Sequence, residues 1–399
     1  MQHSEQIKDL SKEILDEVVA MRRHIHRHPE LSFEEKNTSQ FIAGKLKEWG
    51  IPYKEKVGGY GVVGMISGKD TNGKTVALRA DMDALPIQEE NQVEYASTNP
   101  GVMHACGHDV HTSSLLGSAY VLNQLRDQFS GRIKLIFQPA EEQLPGGASL
   151  MIKAGVLENP APDVILGQHV HPPLEAGKVG FRPGQYMASS DEIFLTVNGK
   201  GGHGAMPHKG VDTTLVSAHI IVALQQIVSR RSDPTSPSVL TLGKIYSDGG
   251  STNIIPETVH IQGTFRAMDE DWRYQAHELI RQTARHTALA LGAEVDVNIK
   301  VGYPFLYNHP ETTRKMRGRA EAFLGPEQVV DLPIRMTAED FAYYSHEMDA
   351  CFYRLGVADP GQPGARQLHT STFDVNEDCF ETSVGLTAFL TLAELSDCQ

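Results

Sequence analysis

The chain has 399 residues, of which 40% are hydrophobic, and it carries a formal net charge of −14 at pH 7. This length exceeds what one ordinary hydrophobic core serves, so we expect two domains. The excess of acidic residues disfavours nucleic acid or an anionic membrane surface as a partner, because both carry negative charge.

The first predicted element is an amphipathic helix. Apolar residues recur at three- and four-residue spacing from Ile7 to Ile25, and the pattern breaks near His28 and Pro29. The N-terminus lacks the apolar core of a secretory signal, and no run in the chain approaches membrane-spanning length. We therefore expect a soluble, cytoplasmic protein.

Strand and helix patterns alternate in the segment that follows. After a second helix at residues 38–49, two apolar runs at 61–67 and 74–80 flank a stretch rich in turn residues, which predicts a β-hairpin. The next patterns are a helix at 111–125, a strand at 132–137, a helix at 148–154 and a strand at 163–170. This alternation predicts an α/β domain in which helices cover a mixed sheet.

The pattern changes from about residue 191. The predicted elements are a strand at 192–197, a helix at 212–230, strands at 239–245 and 259–267, a helix at 270–291 and a strand at 294–301. This βαββαβ order predicts a small α+β domain of the ferredoxin-like type. We interpret it as an insertion at residues 186–299, which makes the other domain discontinuous, with residues 1–185 and 300–399.

Two short motifs carry the residue types of a metal-dependent hydrolase. Cys106 and His108 lie two residues apart in residues 104–109 (HACGHD), and Glu141 and Glu142 are adjacent in residues 138–142 (QPAEE). A thiolate and an imidazole can bind one metal ion or bridge two, and paired carboxylates can divide cation binding and proton transfer between them. The second motif follows an apolar, strand-like run at 133–137, and polar clusters at 79–86 and 167–171 follow similar runs at 75–78 and 164–166. The ends of sheet strands are where ligand sites of α/β proteins collect.

The cysteines are too few for a disulfide framework in a chain of this size. Apart from Cys106, we expect the remaining three to be buried or bystander thiols: Cys351, Cys379 and Cys398. A soft thiolate combined with imidazole favours zinc, manganese, cobalt or nickel over magnesium or calcium.

These motifs make the chain similar to the M20 metallopeptidase and aminoacylase family. The resemblance is to the amidohydrolase branch, which includes hippurate hydrolase, N-acyl-amino-acid deacylases and plant auxin-conjugate hydrolases. It extends over nearly the whole chain, in residues 24–32, 79–86, 104–109, 139–142, 201–208, 253–256, 263–266 and 339–341.

The resemblance implies a centre of two divalent metal ions (Mn, Zn, Co or Ni) with five ligands: Cys106, His108, Glu142, His169 and His369. Cys106 is expected to bridge the ions, and Glu141 then remains as the general base. His169 and His171 would point the same way from a strand. We assign His169 as the ligand because it fills the family position, and we expect His171 at the rim of the site.

Further roles follow from the same resemblance. Asp83 is expected to hold a ligating histidine, with Asp81 and Asp109 as alternatives. In the inserted domain, His203 is expected to stabilise the oxyanion, from the same or a second subunit. Asn253 and Arg266 are expected to bind a substrate carboxylate, Arg266 through its two-pronged guanidinium. The inserted domain would then act as a lid and a dimerisation domain, which leaves a homodimer open.

The expected activity is hydrolysis of the amide bond of N-acyl amino acids, such as N-acetyl or N-benzoyl compounds, to a carboxylic acid and a free amino acid. Within the family, the alternative is a dipeptidase or carboxypeptidase that acts on short peptides. A second alternative is a cysteine amidase with Cys106 as nucleophile and His108 as base, but it leaves the paired glutamates idle. A third is a non-catalytic binding protein, which has little structural reason to keep Glu141.

Overall fold

The computed structural model describes residues 3–396, which divide into two compact units. The first unit is drawn from Met1–Gly184, Tyr307–Pro333 and Asp340–Gln399, and the second from Gln185–Leu306 and Ile334–Glu339. In residues 3–396 no helix is both long and apolar enough to cross a lipid bilayer. Cys398 lies outside the described residues.

The elements up to the end of β7 are α1 (Ser4–Glu13), α2 (Leu15–Arg27), α3 (Lys36–Glu48), β1 (Tyr53–Val57), β2 (Gly61–Ser67), β3 (Asp70–Asp81), α4 (His108–Gln124), β4 (Ser130–Gln138), α5 (Gly147–Lys153), β5 (Val164–Glu175), β6 (Val179–Phe181) and β7 (Gly184–Met187). The next elements are β8 (Asp191–Asn198), β9 (Gly202–His203), α6 (Thr213–Gln226), β10 (Ser238–Ser247), β11 (Ile254–Ile255), β12 (Thr258–Ala267), α7 (Glu270–Ala290) and β13 (Glu294–Val301). The last elements are β14 (Leu306–Asn308), α8 (Pro310–Leu324), β15 (Val329–Asp331), α9 (Ala342–Glu347), β16 (Ala350–Ala358) and α10 (Cys379–Ser396).

The first unit is built on an eight-stranded mixed sheet with the order β1-β2-β4-β3-β5-β16-β6-β15. Its central strands β4, β3, β5 and β16 run parallel to one another. Helix α4 packs against β3 and against α2 and α10, and its residues from His108 to Ala119 are all buried. A helix that is covered on all sides needs no solvent-facing polar side, which fits the small and apolar residues of its middle, from Thr112 to Ala119. The predicted fold of a helix-covered mixed sheet is confirmed.

The predicted hairpin between residues 61–67 and 74–80 is wrong. Both segments are strands, β2 and β3, but β4 lies between them, antiparallel to β2 and parallel to β3. The reason is visible in the connection, where the amides of Gly68 and Lys69 donate to Gly131 O and Phe129 O at the start of β4. Turn residues alone therefore did not indicate which strand would become the partner.

Two helix boundaries also differ from prediction. The single helix expected from Ile7 to Ile25 is two consecutive helices, α1 and α2, and the apolar spacing continues across the junction because Ile7, Ile14 and Val18 are all buried. Helix α4 begins at His108, three residues before the predicted start. The motif histidine therefore belongs to the first turn of a helix.

The second unit contains a four-stranded antiparallel sheet with the order β10-β12-β8-β13. Helices α6 and α7 pack against this sheet and share one apolar cluster with it. This arrangement is the ferredoxin-like βαββαβ fold that the spacing predicted. Its role as a lid or a dimerisation domain stays a prediction.

Candidate metal centre and substrate-binding residues

The parallel strands of the first unit bring distant motifs to one edge of the sheet. Asp81 at the end of β3 is in register with Gln138 at the end of β4, and Arg79 is in register with Gly167 of β5. The segments that follow β3 and β4, together with His169 of β5, therefore meet at the carboxyl ends of the strands. Ligand sites of open α/β sheets form at this edge.

A glycine turn places the thiol and the imidazole of the HACGHD motif. Gly107 has a left-handed φ of 84°, and a Cβ at this position would lie 2.5 Å from Cγ2 of Val170. Only glycine combines this backbone conformation with such a close approach. Cys106 lies just before the turn and His108 just after it, at the start of α4, and both side chains are buried.

Cys106 lies at the centre of the predicted ligands. Its Sγ lies 3.5 Å from Nε2 of His169 and 3.4 Å from Nε2 of His369, which in turn lies 3.3 Å from Oε1 of Glu142. The ligand atoms of Cys106, His108 and His169 all lie within 4.8 Å of one another, and so do those of Cys106, Glu142 and His369. The thiol belongs to both groups, which is the position that a ligand bridging two ions would occupy.

The ring nitrogens of the buried histidines fit a bound metal ion. Nδ1 of His169 lies 2.8 Å from the carbonyl oxygen of Val170, so this nitrogen is the donor and Nε2 faces Cys106 with a free lone pair. Nε2 of His108 is buried and makes no hydrogen bond with any residue that the structure describes. Buried polar atoms are nearly always satisfied, and a metal ion would satisfy this one.

The electrostatic environment also suits a cation. Burial and the nearby charge of Glu142 raise the pKa of the Cys106 thiol. Hydrogen bonds to Cys106 and Glu142 raise the pKa of His369, which lies at the exposed edge of the cluster. A divalent cation would take the place of these protons, because metal binding requires the thiolate and the neutral imidazole.

Three acidic residues were candidates to hold a ligating histidine, and each has a different partner. Oδ1 of Asp83 lies 3.1 Å from Nδ1 of His108. Asp81 instead contacts Nδ1 of His111, and Asp109 accepts from Arg22 at 2.8 Å. Asp83 is therefore the carboxylate that orients the ring of the proposed ligand His108.

His111 is a neighbour of the site that the sequence did not reveal. Its Nδ1 contacts Asp81, and its Nε2 accepts a hydrogen bond of 2.9 Å from the amide of Val170, next to His169. Both ring nitrogens are thus engaged, so His111 supports the strand that carries His169. The available signal was its position three residues after His108 on one helix, because residues at this spacing share a face.

Glu141, the proposed base, is buried at the same cluster. Its Oε1 accepts from the amide of Asp340 at 3.3 Å, and its carboxylate lies within 4.8 Å of the ligand atoms of His108 and Glu142. His171 lies within β5 and is only 8% exposed, so the expectation of a rim position is wrong.

The three residues assigned to substrate binding lie in the second unit. His203 and Asn253 are neighbours, because β9 pairs with β11 and the amide of Gly204 donates to Asn253 O at 2.7 Å. The imidazole of His203 is exposed and accepts from Ala205 N at 3.0 Å. Arg266 lies on β12, on the sheet face opposite to the buried Phe265.

Residues 77–392 match the family described as peptidase family M20/M25/M40. The chain belongs to this family. It is 45% identical to the N-acyl-L-amino acid amidohydrolase of Geobacillus stearothermophilus, over 77% of this chain and 82% of that relative. It is 39% identical to thermostable carboxypeptidase 2 of Saccharolobus solfataricus, over 97% of this chain and 98% of that relative. The family assignment from the motifs is confirmed.

A solved structure of the same family matches the whole fold. A Bacillus subtilis protein described as a dinuclear metal binding peptidase from the M20 family superposes with a TM-score of 0.83 at 32% sequence identity. The match covers 96% of this chain and 99% of that chain. The M20 fold therefore extends over both units.

Proposed function

We propose that the protein is a dinuclear metal-dependent amidohydrolase that cleaves N-acyl amino acids to a carboxylic acid and a free amino acid. The observation that carries the proposal is the cluster in which Cys106 belongs to two groups of ligand atoms, with Glu141 beside them. The likeness to an N-acyl-L-amino acid amidohydrolase supports the substrate class.

Five residues would hold the two ions: Cys106, His108, Glu142, His169 and His369. The combination of thiolate, imidazole and carboxylate suits manganese, zinc, cobalt or nickel. Such ions, when bound, polarise a carbonyl group and lower the pKa of water from 15.7 to roughly 7.

The residues of the chain would divide the remaining work. Glu141 would accept the proton of the attacking water and return it to the leaving amine, which is the task of a general base that then acts as an acid. His203 would donate a hydrogen bond to the oxyanion of the tetrahedral intermediate. Arg266 and Asn253 would bind the carboxylate of the amino-acid half, and this contact would select substrates with a free carboxyl group.

A homodimer through the second unit is part of the proposal. Strand β10 lies at the edge of its sheet, where its described ladder partner is β12 alone, and Val239 and Ile245 on it are exposed. On the adjacent helix α6, Leu215 and Val222 are 55% and 73% exposed. A long edge strand with exposed apolar side chains has unpaired backbone N–H and C=O groups, which can pair with a strand of another chain. A second copy could pair the same strand antiparallel to itself about a two-fold axis.

The second candidate function is a carboxypeptidase or dipeptidase. The full-length likeness to a thermostable carboxypeptidase favours it, and the chemistry is the same amide hydrolysis. The two functions differ in what occupies the acyl side of the scissile bond, which is a simple acyl group in one case and an amino acid or peptide in the other.

A substrate panel tests the proposal. Protein loaded with manganese, zinc, cobalt or nickel is assayed with N-acetyl and N-benzoyl amino acids, with dipeptides, and with N-blocked peptides that end in the same amino acid. We expect kcat/KM for the N-acyl amino acids to exceed that for the dipeptides at least tenfold. A preference for peptides would support the carboxypeptidase instead, and no hydrolysis of any amide would reject both functions.

A further inference from the structure

Glu35 is a buried carboxylate outside the predicted ligand set, and it contacts the turn that carries the paired glutamates. Its side chain is completely buried. Oε1 of Glu35 accepts hydrogen bonds from the amide of Ala140 at 2.8 Å and from the amide of Phe33 at 2.9 Å. Ala140 directly precedes Glu141 and Glu142, so Glu35 bonds to the backbone next to both.

The backbone at this turn is strained. Ala140 has a left-handed φ of 53°, a conformation that residues with a Cβ rarely adopt. Its peptide is held from both sides, because its amide donates to Glu35 and its carbonyl oxygen accepts from Gly147 N at 2.9 Å. A Cβ on Gly147 would lie 1.7 Å from Pro139 O, so only glycine permits this close approach. Strain of this kind persists only where the surroundings enforce it, and it is concentrated at functional sites.

The carboxylate of Glu35 does not serve the helix to which it is adjacent. Glu35 is the residue before α3, yet its side chain makes no capping hydrogen bond to that helix. The capping role belongs to Glu30, whose carboxylate accepts from the amides of Asn37 and Thr38 at 3.1 and 2.8 Å. Oε2 of Glu35 is buried and has no hydrogen-bond partner between residues 3 and 396, which is unfavourable for stability.

After the left-handed turn, the two glutamates contact different partners. After Ala140, the amide of Glu142 donates to Asp83 at 3.0 Å, and the Glu142 carboxylate joins Cys106 and His369. The Glu141 carboxylate accepts instead from the amide of Asp340. If the turn relaxed to an ordinary backbone conformation, both carboxylates would move away from these partners at the same time.

We propose that Glu35 is a positioning residue, which holds Ala140 in its left-handed conformation and thereby directs Glu141 and Glu142 to their different partners. This inference rests on the proposed function, because it assigns the two glutamates to catalysis and to metal binding. It adds a residue that touches neither substrate nor metal. The hydrogen-bond acceptor Oε1 carries the effect, so the charge of Glu35 is not required.

The test compares four variants in the full-length, metal-loaded protein: Glu35→Ala, Glu35→Gln, Glu30→Ala and Glu35→Ala combined with Ala140→Gly. We expect Glu35→Ala to lower kcat at least tenfold with KM changed less than threefold, and to weaken the binding of one of two manganese ions in a titration. Glu35→Gln keeps the acceptor and should stay within threefold of the wild-type kcat. Glu30→Ala loses the helix cap and should lower the melting temperature without changing kcat.

The double variant separates positioning from a general loss of structure. Glycine adopts left-handed φ without steric strain, so Ala140→Gly should restore kcat and manganese affinity in the Glu35→Ala background at least threefold. Failure of this rescue, a Glu35→Gln variant as impaired as Glu35→Ala, or an unimpaired Glu35→Ala would each overturn the inference. If the wild type hydrolyses no amide, the proposed function fails, and the manganese titration still tests the inference.

Discussion

Asp83 and His108 are joined at 3.1 Å through Oδ1 and Nδ1, and the other oxygen of the same carboxylate accepts from the amide of Glu142. One side chain therefore couples the ring of one proposed ligand to the backbone of another. Because Nδ1 of His108 is engaged with a carboxylate, Nε2 is the nitrogen left for a metal ion. Asp83, which follows β3, therefore links the start of α4 to the turn after β4.

The first prediction is that bound metal shields Cys106. Removing metal with a chelator should abolish hydrolysis and raise the rate at which iodoacetamide alkylates Cys106, and manganese, zinc or cobalt should reverse both effects. The physical reason is that the thiolate is engaged when it binds metal. Alkylation is mapped by mass spectrometry in a Cys398→Ser background, so that Cys398 does not compete for the reagent. The other two cysteines, Cys351 and Cys379, are completely buried. Full activity in metal-free protein would contradict the prediction.

The second prediction separates the adjacent glutamates. Glu141→Gln should keep two metal ions and lose about 10²–10⁴ in kcat, because it removes the general base. Glu142→Gln should lose one ion, since its carboxylate lies with Cys106 and His369. Metal content and kcat are measured on the same preparations. If the two variants exchanged phenotypes, the roles of the two glutamates would be reversed.

The proposed metal ligands were named from the motifs and the family resemblance, whereas Asp83 could be named as the orienting residue only with Asp81 and Asp109 as alternatives. Cys106, His108 and Glu142 lie in short motifs whose residue types indicate metal binding from the sequence alone. Asp81, Asp83 and Asp109 are equivalent in sequence, and only their partners distinguish them. Which carboxylate orients which ring depends on contacts between segments far apart in the chain.

Strand pairing shows the same limit. The spacing in the second unit predicted its ferredoxin-like order, because each of its strand and helix patterns is clear and the connections are local. The hairpin prediction failed because the register of β2 is set by β4, whose sequence begins more than sixty residues after β2 ends. Local turn residues carry no information about a strand that inserts from elsewhere.

The third prediction concerns Arg266. Arg266→Ala should weaken binding of N-acyl amino acids roughly ten- to a hundredfold, because a charge-assisted hydrogen bond contributes about 1.5–3 kcal/mol. The corresponding amides, which have no anion to pair, should be scarcely affected. KM or inhibition constants are measured for matched acid and amide pairs. Arg285→Ala, an exposed arginine on α7, serves as the control for lost charge. Equal losses for acid and amide would reject the carboxylate-anchor role.

The fourth prediction is that the wild type is a homodimer in solution. Sedimentation should give twice the chain mass of 43.9 kDa, and Val222→Glu on α6 should shift it to the monomer mass. The reason is that the introduced carboxylate would lose its hydration in an apolar interface without gaining a partner, which destabilises the dimer. Val301→Glu, on the opposite edge strand β13, is the matched control and should leave the dimer intact. A monomeric wild type would contradict this prediction.

The fifth prediction concerns the stability of the second unit at low pH. The buried Asp191 accepts from Arg273 Nε at 2.9 Å, from His277 Nε2 at 2.7 Å and from the amide of Gly302 at 3.1 Å. Burial opposes its charge, but the hydrogen bonds from His277 and Arg273 outweigh burial and hold the pKa of Asp191 below its usual value. The unfolded chain therefore binds a proton to this residue more readily than the folded chain does.

The stability from Asp191 should accordingly be complete above the unfolded pKa of about 3.9 and be lost as pH falls through the lower folded pKa. Asp191→Asn should cost about 3–5 kcal/mol in the free energy of unfolding at pH 5 and at pH 7, because it leaves a buried cation without its partner. Urea unfolding is followed by the fluorescence of Trp272 in a Trp49→Phe background, since the chain has two tryptophans and Trp272 lies in the second unit. The gap to the wild type should narrow below about pH 4, whereas Glu192→Gln, an exposed neighbour on β8, should change the free energy by less than about 1 kcal/mol throughout. A gap that stays constant or widens as the pH falls would mean that Asp191 is not held in its charged form by the fold.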